Sequence, residues 1–193
     1  MDDLSAIIKT KSGDRVVSCD ADGLRARLGY NVVSMRASGY DPSVIEEHEA
    51  FNERLEPFIA HHQFGQYLGA LMPYDMYGAS GVRVLPLDAI RREIQELAPG
   101  ARLFPHGYMP FARSIGGNAI CFHAPTGRVV WADHDSFGTD DITYKDTGRG
   151  DYRTIPFTPE HIAQAVVPLA DDFHAFLKDL VDDRLETRLN ELD

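Results

Sequence analysis

Apolar side chains recur at spacings of three and four from Ser43 to about Leu71, the period of one buried face of an α-helix. Ser43 with Glu46 three residues later has the form of a capping box, so we expect Ser43 to be the N-cap. Pro57 has no amide hydrogen and should kink this helix or divide it in two. The apolar face consists of Val44, His48, Phe51, Leu55, Phe58 and His62.

The pattern before and after this helix is less regular. In residues 1–42, the segment DRVVSCDADG is consistent with a strand that runs into a turn, and GLRARLGY is consistent with a short helix. Met72 to Gly81 is rich in proline, aspartate and glycine, which predicts a loop. The next apolar run, Val82 to Leu87, predicts a short strand.

Two helical regions follow at different distances along the chain. Asp88 can cap a helix that ends at Pro99-Gly100. The buried face of that helix is expected to contain Ile90, Ile94 and Leu97. Thr158-Pro159 has the chemistry of an N-cap followed by a first helical residue, and Pro168 should interrupt the helix that begins there. From Asp171 the apolar spacing predicts one amphipathic helix to the C-terminus.

Two β-hairpins are predicted between these helical regions. GNAICFHA and RVVWAD are rich in strand-forming residues, and the turn at Pro125-Thr126-Gly127 joins them. ITYKD and DYRTIPF flank a second turn at residues 147–150. Helices, then antiparallel strands, then helices predict an α+β fold with a single antiparallel β-sheet backed by N-terminal and C-terminal helices.

Composition restricts the class of protein. A chain of 193 residues with 44% apolar residues is long enough for one domain with a good core. Two cysteines form no disulfide framework, and we find no signal peptide and no apolar run that could span a membrane, so we expect a cytoplasmic protein. The net charge of −11 argues against nucleic-acid binding and suits a basic protein partner.

Asp133, His134 and Asp135 are the candidate metal ligands or catalytic groups, together with His123. A three-residue turn would pair Ala124 with Arg128 and would place His123 about 13 Å from Asp133. His134 would lie on the opposite face of the strand, which separates the ligands. We therefore expect no catalytic residue, no metal and no cofactor, although Asp133 and Asp135 could share a cation if the strand frays there.

Other reactive groups do not change this expectation. Cys121 lies in the middle of an apolar strand, where a buried thiol is inert. His106 and Tyr108 lie in a segment that we interpret as a loop, and an aromatic residue beside a histidine in a loop is a candidate contact surface.

An ordered set of motifs from about residue 82 to residue 180 resembles the SUKH superfamily, which includes fungal cell-wall synthesis regulators and bacterial immunity proteins. The motifs are Leu85 to Ile90, Pro110-Phe111-Ala112 as a loop, Gly116-Gly117-Asn118, Gly127 with Val129, Trp131 to Asp135, and Ala170 to Leu177. Asn118 stands where an acidic residue is frequent in that family. The segment FGTDDITYKDTGRGDYRTIPF is longer than the family's typical insert.

The resemblance implies one SUKH-like domain over residues 1–193 and a non-catalytic, protein-binding role. Bacterial members commonly neutralise a cognate toxin, often a nuclease, by direct binding, and an acidic protein suits a basic toxin. The expected partner surface comprises His106, Tyr108, Asp133, His134, Asp135, Asp140 and Asp141. Two alternatives stay open: a regulatory or scaffold module unrelated to toxins, and a metal-dependent hydrolase that uses Asp133 to Asp135.

Overall fold

The computed structural model describes residues 19–70, 76–77, 81–145 and 150–192, with the backbone alone at Ala70 and at residues 76–77. The helices are α1 (Ala21–Leu28), α2 (Val32–Ala37), α3 (Pro42–Ile59), α4 (His62–Ala70), α5 (Leu87–Gln95), α6 (Gly100–Leu103), α7 (Pro159–Ala165), α8 (Phe173–Val181) and α9 (Leu185–Asn190), with a short 3₁₀ helix at Phe104–His106. The strands are β1 (Met76–Tyr77), β2 (Arg83–Val84), β3 (Tyr108–Arg113), β4 (Ala119–His123), β5 (Arg128–Ala132), β6 (Asp141–Lys145), β7 (Tyr152–Pro156) and β8 (Val167–Ala170).

The helix starts near the N-terminus depend on aspartate caps. Asp20 accepts a hydrogen bond from the amide of Gly23, so the expected turn after Asp20 is the first turn of α1. The strand expected before it, at residues 14–18, lies outside the described residues. In α3 the N-cap is Asp41, whose carboxylate accepts from the amide of Ser43, so the prediction of Ser43 as the cap is wrong.

The long helical segment is divided, as Pro57 predicts, although the break lies beyond the proline. The helix α3 continues through Pro57 to Ile59, and α4 begins at His62. At the join, the Nδ1 atom of His61 accepts a hydrogen bond from the amide of Phe64 at 3.3 Å. His61 therefore satisfies an amide at the start of α4 that has no partner within the helix.

The main sheet has the strand order β1-β2-β3-β4-β5-β8, and every neighbouring pair is antiparallel. The α+β class with an antiparallel sheet and helices at both ends of the chain is thus confirmed. The strands β6 and β7 form a separate two-stranded antiparallel sheet rather than extending a single sheet. Of the turn predicted at residues 147–150, residues 147–149 lie outside the described residues.

Three strands lie where the sequence predicts a loop or helix. The strand β1 lies inside the expected loop from Met72 to Gly81, of which residues 72–75 and 78–80 lie outside the described residues. The motif Pro110-Phe111-Ala112 is in β3, so Tyr108 and these residues do not form a loop. A register shift between Pro110 and Ala112 accommodates the proline, and the carbonyl of Phe111 accepts from the amide of Leu85 at 2.9 Å.

Pro168 lies in the edge strand β8 rather than in an interrupted helix. A strand edge tolerates proline because its missing amide removes no hydrogen bond on the outer side. The guanidinium of Arg188 in α9 donates to the carbonyl oxygens of Pro168 and Leu169, the latter at 2.7 Å. Arg188 thus occupies carbonyl groups that an edge strand would otherwise leave without a partner.

The C-terminal segment forms two helices rather than the one that the apolar spacing predicts. The helix α8 ends at Val181, and α9 begins at Leu185. Between them Asp183 has a φ of 55°, a left-handed conformation that a continuous helix cannot contain. Among the described residues, no helix has both the length and the apolar character to cross a bilayer.

The two faces of the main sheet have separate cores. Phe111, Phe122 and Trp131 contribute to the face that packs on the N- and C-terminal helices. Cys121 and Val130 point to the other face, which β6 and α7 cover. The two-stranded sheet therefore closes the second face and positions the loop that connects it to β5.

The hairpin of β4 and β5 has a register one residue away from the predicted one. The turn has four residues because the carbonyl of His123 accepts from the amide of Gly127 at 2.9 Å. His123 therefore pairs with Arg128, and Cys121 pairs with Val130 rather than with Trp131. Gly127 has a φ of 72°, so the glycine supplies the left-handed residue that the turn requires.

Candidate functional site

The loop of eight residues between β5 and β6, together with Asp141 at the start of β6, carries four aspartates: Asp133, Asp135, Asp140 and Asp141. We call this segment, residues 133–141, the acidic turn. Its middle is fixed, because Phe137 is 3% exposed and forms a β-bridge with Ile142. The carboxylates thus project from a segment that the second core holds in place.

The strand β5 ends at Ala132, and a side-chain turn follows at once. The carboxylate of Asp133 accepts from the amide of Asp135 at 3.0 Å and from the hydroxyl of Ser136 at 3.1 Å. This turn replaces the alternating geometry of a strand, and it brings Asp133, His134 and Asp135 together. One ligand atom from each residue lies within 4.8 Å of the others, so the expectation that His134 is separated from its neighbours is wrong.

His134 is held by a residue that the sequence analysis singled out only as a motif position. Asn118 is 6% exposed, and its Oδ1 atom accepts from the backbone amide of His134 at 3.0 Å. The same oxygen lies 2.8 Å from the Nδ1 atom of His134. Because a backbone amide donates to this atom of the Asn118 side chain, the atom must be the oxygen and not the nitrogen. An oxygen only accepts, so the Nδ1 atom of His134 must carry the proton that it donates to Asn118.

The proton on Nδ1 leaves Nε2 of neutral His134 with its lone pair directed outward. This Nε2 atom lies 3.3 Å from Oδ1 of Asp135, and Nδ1 lies 4.0 Å from Oδ1 of Asp133. A proton or a cation between Nε2 and Asp135 would satisfy both groups. His134 and Asp135 are exposed and compete with water for any ion, so the geometry alone assigns no metal to the acidic turn.

The substitution Asn118→Ala tests this arrangement. In the unmodified protein we expect the neutral His134 ring in the Nδ1-protonated form, because Asn118 accepts that proton. In the variant the ring should change to a mixture dominated by the Nε2-protonated form. Nitrogen-15 spectra of the imidazole ring at high pH measure the two forms, and an unchanged spectrum would show that Asn118 does not set the ring.

Asp140 and Asp141 complete the charged surface on the far side of Phe137. Arg102 reaches this part of the chain, but it donates to the carbonyl of Phe137 at 2.8 Å and to the hydroxyl of Thr139 at 3.2 Å. Within the described residues, no lysine or arginine forms an ion pair with any of the four aspartates of the acidic turn. Within the part of the chain that the structure describes, His134 is the one basic side chain that pairs with carboxylates of the turn.

The structure does not bring all the predicted contact residues together. Tyr108 is 5% exposed and stacks on the ring of His123, with 4.0 Å between the ring centroids. It pairs with His123 at the end of β4 that lies about 16 Å from Asn118, five residues at the strand rise. The buried ring of Tyr108 presents no contact surface at the acidic turn, and His123 is equally remote from Asp133.

His106 lies close to the Asp140 end of the acidic turn. Its ring contacts that of Phe157 at a centroid distance of 5.5 Å, and the amide of Phe157 donates to the carbonyl of Asp140 at 3.1 Å. Burial lowers the pKa of His106, and the nearby charge of Arg54 lowers it further. His106 is thus neutral at physiological pH and adds no positive charge to this surface.

The sequence pattern does not identify one exposed aromatic side chain on the two-stranded sheet, at the end away from Asp141. Tyr152 is 74% exposed in β7, opposite Lys145. Alternation along the two-stranded sheet places Tyr152 and Thr154 on the side away from Ile142 and Ile155. That alternation is visible in the sequence, but only the register of the two strands shows which side faces solvent.

The thiol of Cys121 in β4 is closed to solvent. Cys121 is fully buried, and burial raises the pKa of its thiol well above the ordinary value. This confirms the interpretation of Cys121 as a buried side chain of the core. A thiol held protonated and away from solvent has no access to a substrate.

Comparisons with family models, curated proteins and solved structures found no match to this chain.

Proposed function

We propose that this chain is a SUKH-like, non-catalytic immunity protein that neutralises a basic toxin domain in the cytoplasm by direct binding through the acidic turn. The observation that carries this proposal is the fixed group of four aspartates without a lysine or arginine partner among the described residues. A basic nuclease toxin is the class of partner that fits such a surface.

The rigidity of the acidic turn supports a role in binding. Phe137 and Ser136 are buried, and the carbonyl of Ser136 accepts from the amide of Thr143 at 2.8 Å. Carboxylates on a fixed backbone lose little freedom on association, which lowers the entropic cost of the complex. Their shared sign also accelerates the encounter with a basic partner.

Tyr152 supplies the apolar component that a charged surface lacks. Aromatic residues are enriched among the side chains that dominate the affinity of protein interfaces. Tyr152 lies on the two-stranded sheet whose first strand begins with Asp141. Tyr152 pairs with Lys145, about 13 Å or four residues along the sheet from the position opposite Asp141, so it suits a partner whose interface spans both ends of the sheet.

The placement of the SUKH-like motifs also supports the proposal. Leu85 to Ile90 runs from the end of β2 into α5, as a strand-to-helix entry requires. Gly116-Gly117-Asn118 forms the β3–β4 turn, where Gly117 has a φ of 86°. Ala170 to Leu177 runs from the end of β8 into α8. Asn118 then links this motif to the acidic turn through His134.

A charge-neutralised variant tests the proposal. Asp135→Asn, Asp140→Asn and Asp141→Asn together remove three charges, while Asp133 is retained because its carboxylate holds the turn. We expect association with the toxin at low salt to slow by about tenfold or more, and the effect to shrink at high salt. Affinity capture from the source organism identifies the basic partner, and stopped-flow mixing with the purified partner measures the rate.

The matched control removes the same charge elsewhere. Glu46→Gln, Glu47→Gln and Glu53→Gln lie on the exposed side of α3 and should slow association much less. Equal slowing by both triple variants would reduce the effect to net charge and would contradict a specific surface. A growth assay then distinguishes an immunity protein from a scaffold. If the partner alone stops growth and co-expression of this protein restores it, the immunity proposal is supported; a partner that does not affect growth supports the scaffold alternative.

A further inference from the structure

A recess in the molecule lies between α3 and the α5–α6 region, away from the acidic turn. It is an open cleft of about 280 Å³ with Tyr30 at one side. Phe104 and Ile94 close the bottom of the cleft and are 1% and 2% exposed, so the core fixes them in place and the partly exposed aromatic surface belongs to Tyr30 and Phe51. The ring of Phe51 lies 4.9 Å from that of Phe104 and extends the aromatic surface.

Tyr30 is held firmly in the wall of this cleft. The side chain of Asn52 accepts from the amide of Tyr30 at 2.8 Å and donates to its carbonyl at 2.9 Å. The ring of Tyr30 packs edge-on against His48 and Phe51, with centroid distances of 3.8 and 5.1 Å. The cleft is thus formed by side chains already fixed in place, which favours binding.

The charges at the cleft are distributed unevenly. Arg54 and Glu47 both line it, and their seven-residue separation along α3 places them about 10 Å apart. Among the described residues, no carboxylate pairs with Arg54. Arg91 is already engaged, with its guanidinium 5.9 Å from the Tyr30 ring and its Nε atom donating to Gln95. Arg54 is therefore a cation without a counter-ion beside an aromatic surface, in a protein of net charge −11.

A neighbouring cavity on the other side of Tyr30 provides a contrast. It has a volume of about 250 Å³, and its cation is Arg25. The guanidinium of Arg25 donates to both carboxylate oxygens of Glu56 and to Asp22, each at 2.8 Å. That cation is fully neutralised within the protein, so an anionic ligand has a reason to enter the Arg54 cleft and none to enter the Arg25 cavity.

We infer that the cleft between α3 and α6 binds a small aromatic carboxylate, with its ring against the half-buried rings of Tyr30 and Phe51 and its carboxylate on Arg54. The guanidinium forms paired hydrogen bonds with a carboxylate, and the ring replaces water on this aromatic surface. The position of Arg54, one helical turn after Phe51 on α3, matches a ligand with one ring system and a short acidic side chain.

Titration with indole-3-acetate, followed by the amide signals of Tyr30, Phe51 and Phe104, tests the inference. We expect saturable shifts with the acid and at least about tenfold weaker binding of the uncharged indole-3-acetamide. Acetate alone should also bind weakly, because it lacks the ring. No saturable shift at millimolar acid, or equal binding of acid and amide, would overturn the inference.

Variants locate the site. Arg54→Ala should weaken indole-3-acetate binding by about tenfold or more, whereas Lys145→Ala removes an exposed cation elsewhere and should leave it unchanged. Phe51→Leu preserves an apolar side chain and should weaken binding of the ring. A peptide that ends in phenylalanine with a free carboxylate tests whether the ligand is a small molecule or a peptide C-terminus. Tighter binding of the peptide than of indole-3-acetate would indicate that the cleft recognises a C-terminal aromatic residue. Retained affinity in Arg54→Ala would place the ligand elsewhere.

Discussion

Replacing Phe64 by alanine is expected to lower the free energy of unfolding by about 3–5 kcal/mol. Phe64 is fully buried, and its ring is stacked on that of Phe122 at a centroid distance of 4.3 Å. It also packs against Phe173 at 5.0 Å and Phe111 at 5.6 Å. These contacts join α4 to β4, α8 and β3, so a cavity at this position would weaken helices and sheet together.

Urea or guanidinium unfolding at neutral pH measures the loss. Ile115→Ala is the control, since Ile115 is 70% exposed and its truncation should change stability by less than about 0.5 kcal/mol. A loss below about 1.5 kcal/mol for Phe64→Ala would mean that neighbouring rings collapse into the space, and that this aromatic cluster does not hold the layers together.

The position of Phe64 shows what the apolar pattern could predict. The period of three and four correctly identifies Leu55 and Phe58, which are each 1% exposed. It then continues to His62, which is exposed, whereas Phe64 is buried. The period fails here because the helix ends at Ile59 and a new helix starts with a different rotation. The local sequence indicates a helix break near a proline, but tertiary packing decides which face of the next helix is buried.

Two of the three strands that the sequence does not predict share one physical cause. Both β3 and β8 contain a proline, and proline argues against a strand when only the local sequence is considered. In β3 the register shift beside Pro110 accommodates the absence of an amide hydrogen. In β8 the edge position of Pro168 means that its missing amide removes no hydrogen bond on the outer side. Both solutions depend on neighbouring strands that the sequence does not identify.

The candidate site was predicted in composition but not in geometry. The sequence identifies Asp133, His134 and Asp135 as candidate ligands or catalytic groups. If the strand continued through them, alternation would place His134 on the opposite face from the two aspartates. The side-chain turn of Asp133 ends that alternation at Ala132. Asn118 reaches His134 only because the β4–β5 register places the start of one strand beside the end of the other.

Replacing Arg113 by alanine is expected to destabilise the protein by about 3 kcal/mol or more at neutral pH. Arg113 in β3 donates to Oε1 of Glu93 in α5. The side chain of Glu93 is only 5% exposed, and its Oε2 atom has no hydrogen-bond partner. Without Arg113 the Glu93 carboxylate would be buried without its hydrogen-bonded counter-ion, and only the weaker influence of the Arg92 charge would remain, which costs far more than an exposed pair gains.

The loss should depend on pH in a definite direction. Burial raises the pKa of Glu93 above its ordinary value of 4.5, although Arg113 acts against this. The folded state therefore binds this proton more tightly than the unfolded state, and ionisation of Glu93 costs stability as the pH rises through the raised pKa. In Arg113→Ala that cost increases, so its deficit relative to the unmodified protein should be largest at neutral pH and should shrink toward pH 4.5.

A double substitution separates the buried charge from lost packing. Glu93→Gln keeps the shape of the side chain and removes its charge, so adding it to Arg113→Ala should restore most of the lost stability and abolish the pH dependence of the deficit. Arg36→Ala is the control, because Arg36 pairs with Glu49 on the exposed surface between α2 and α3 and its loss should cost little. A deficit in Arg113→Ala that is independent of pH and persists with Glu93→Gln would assign the effect to packing. The rescue is expected because the Glu93 side chain faces β3 and is only 5% exposed, so its ionised carboxylate is poorly solvated once the guanidinium is removed.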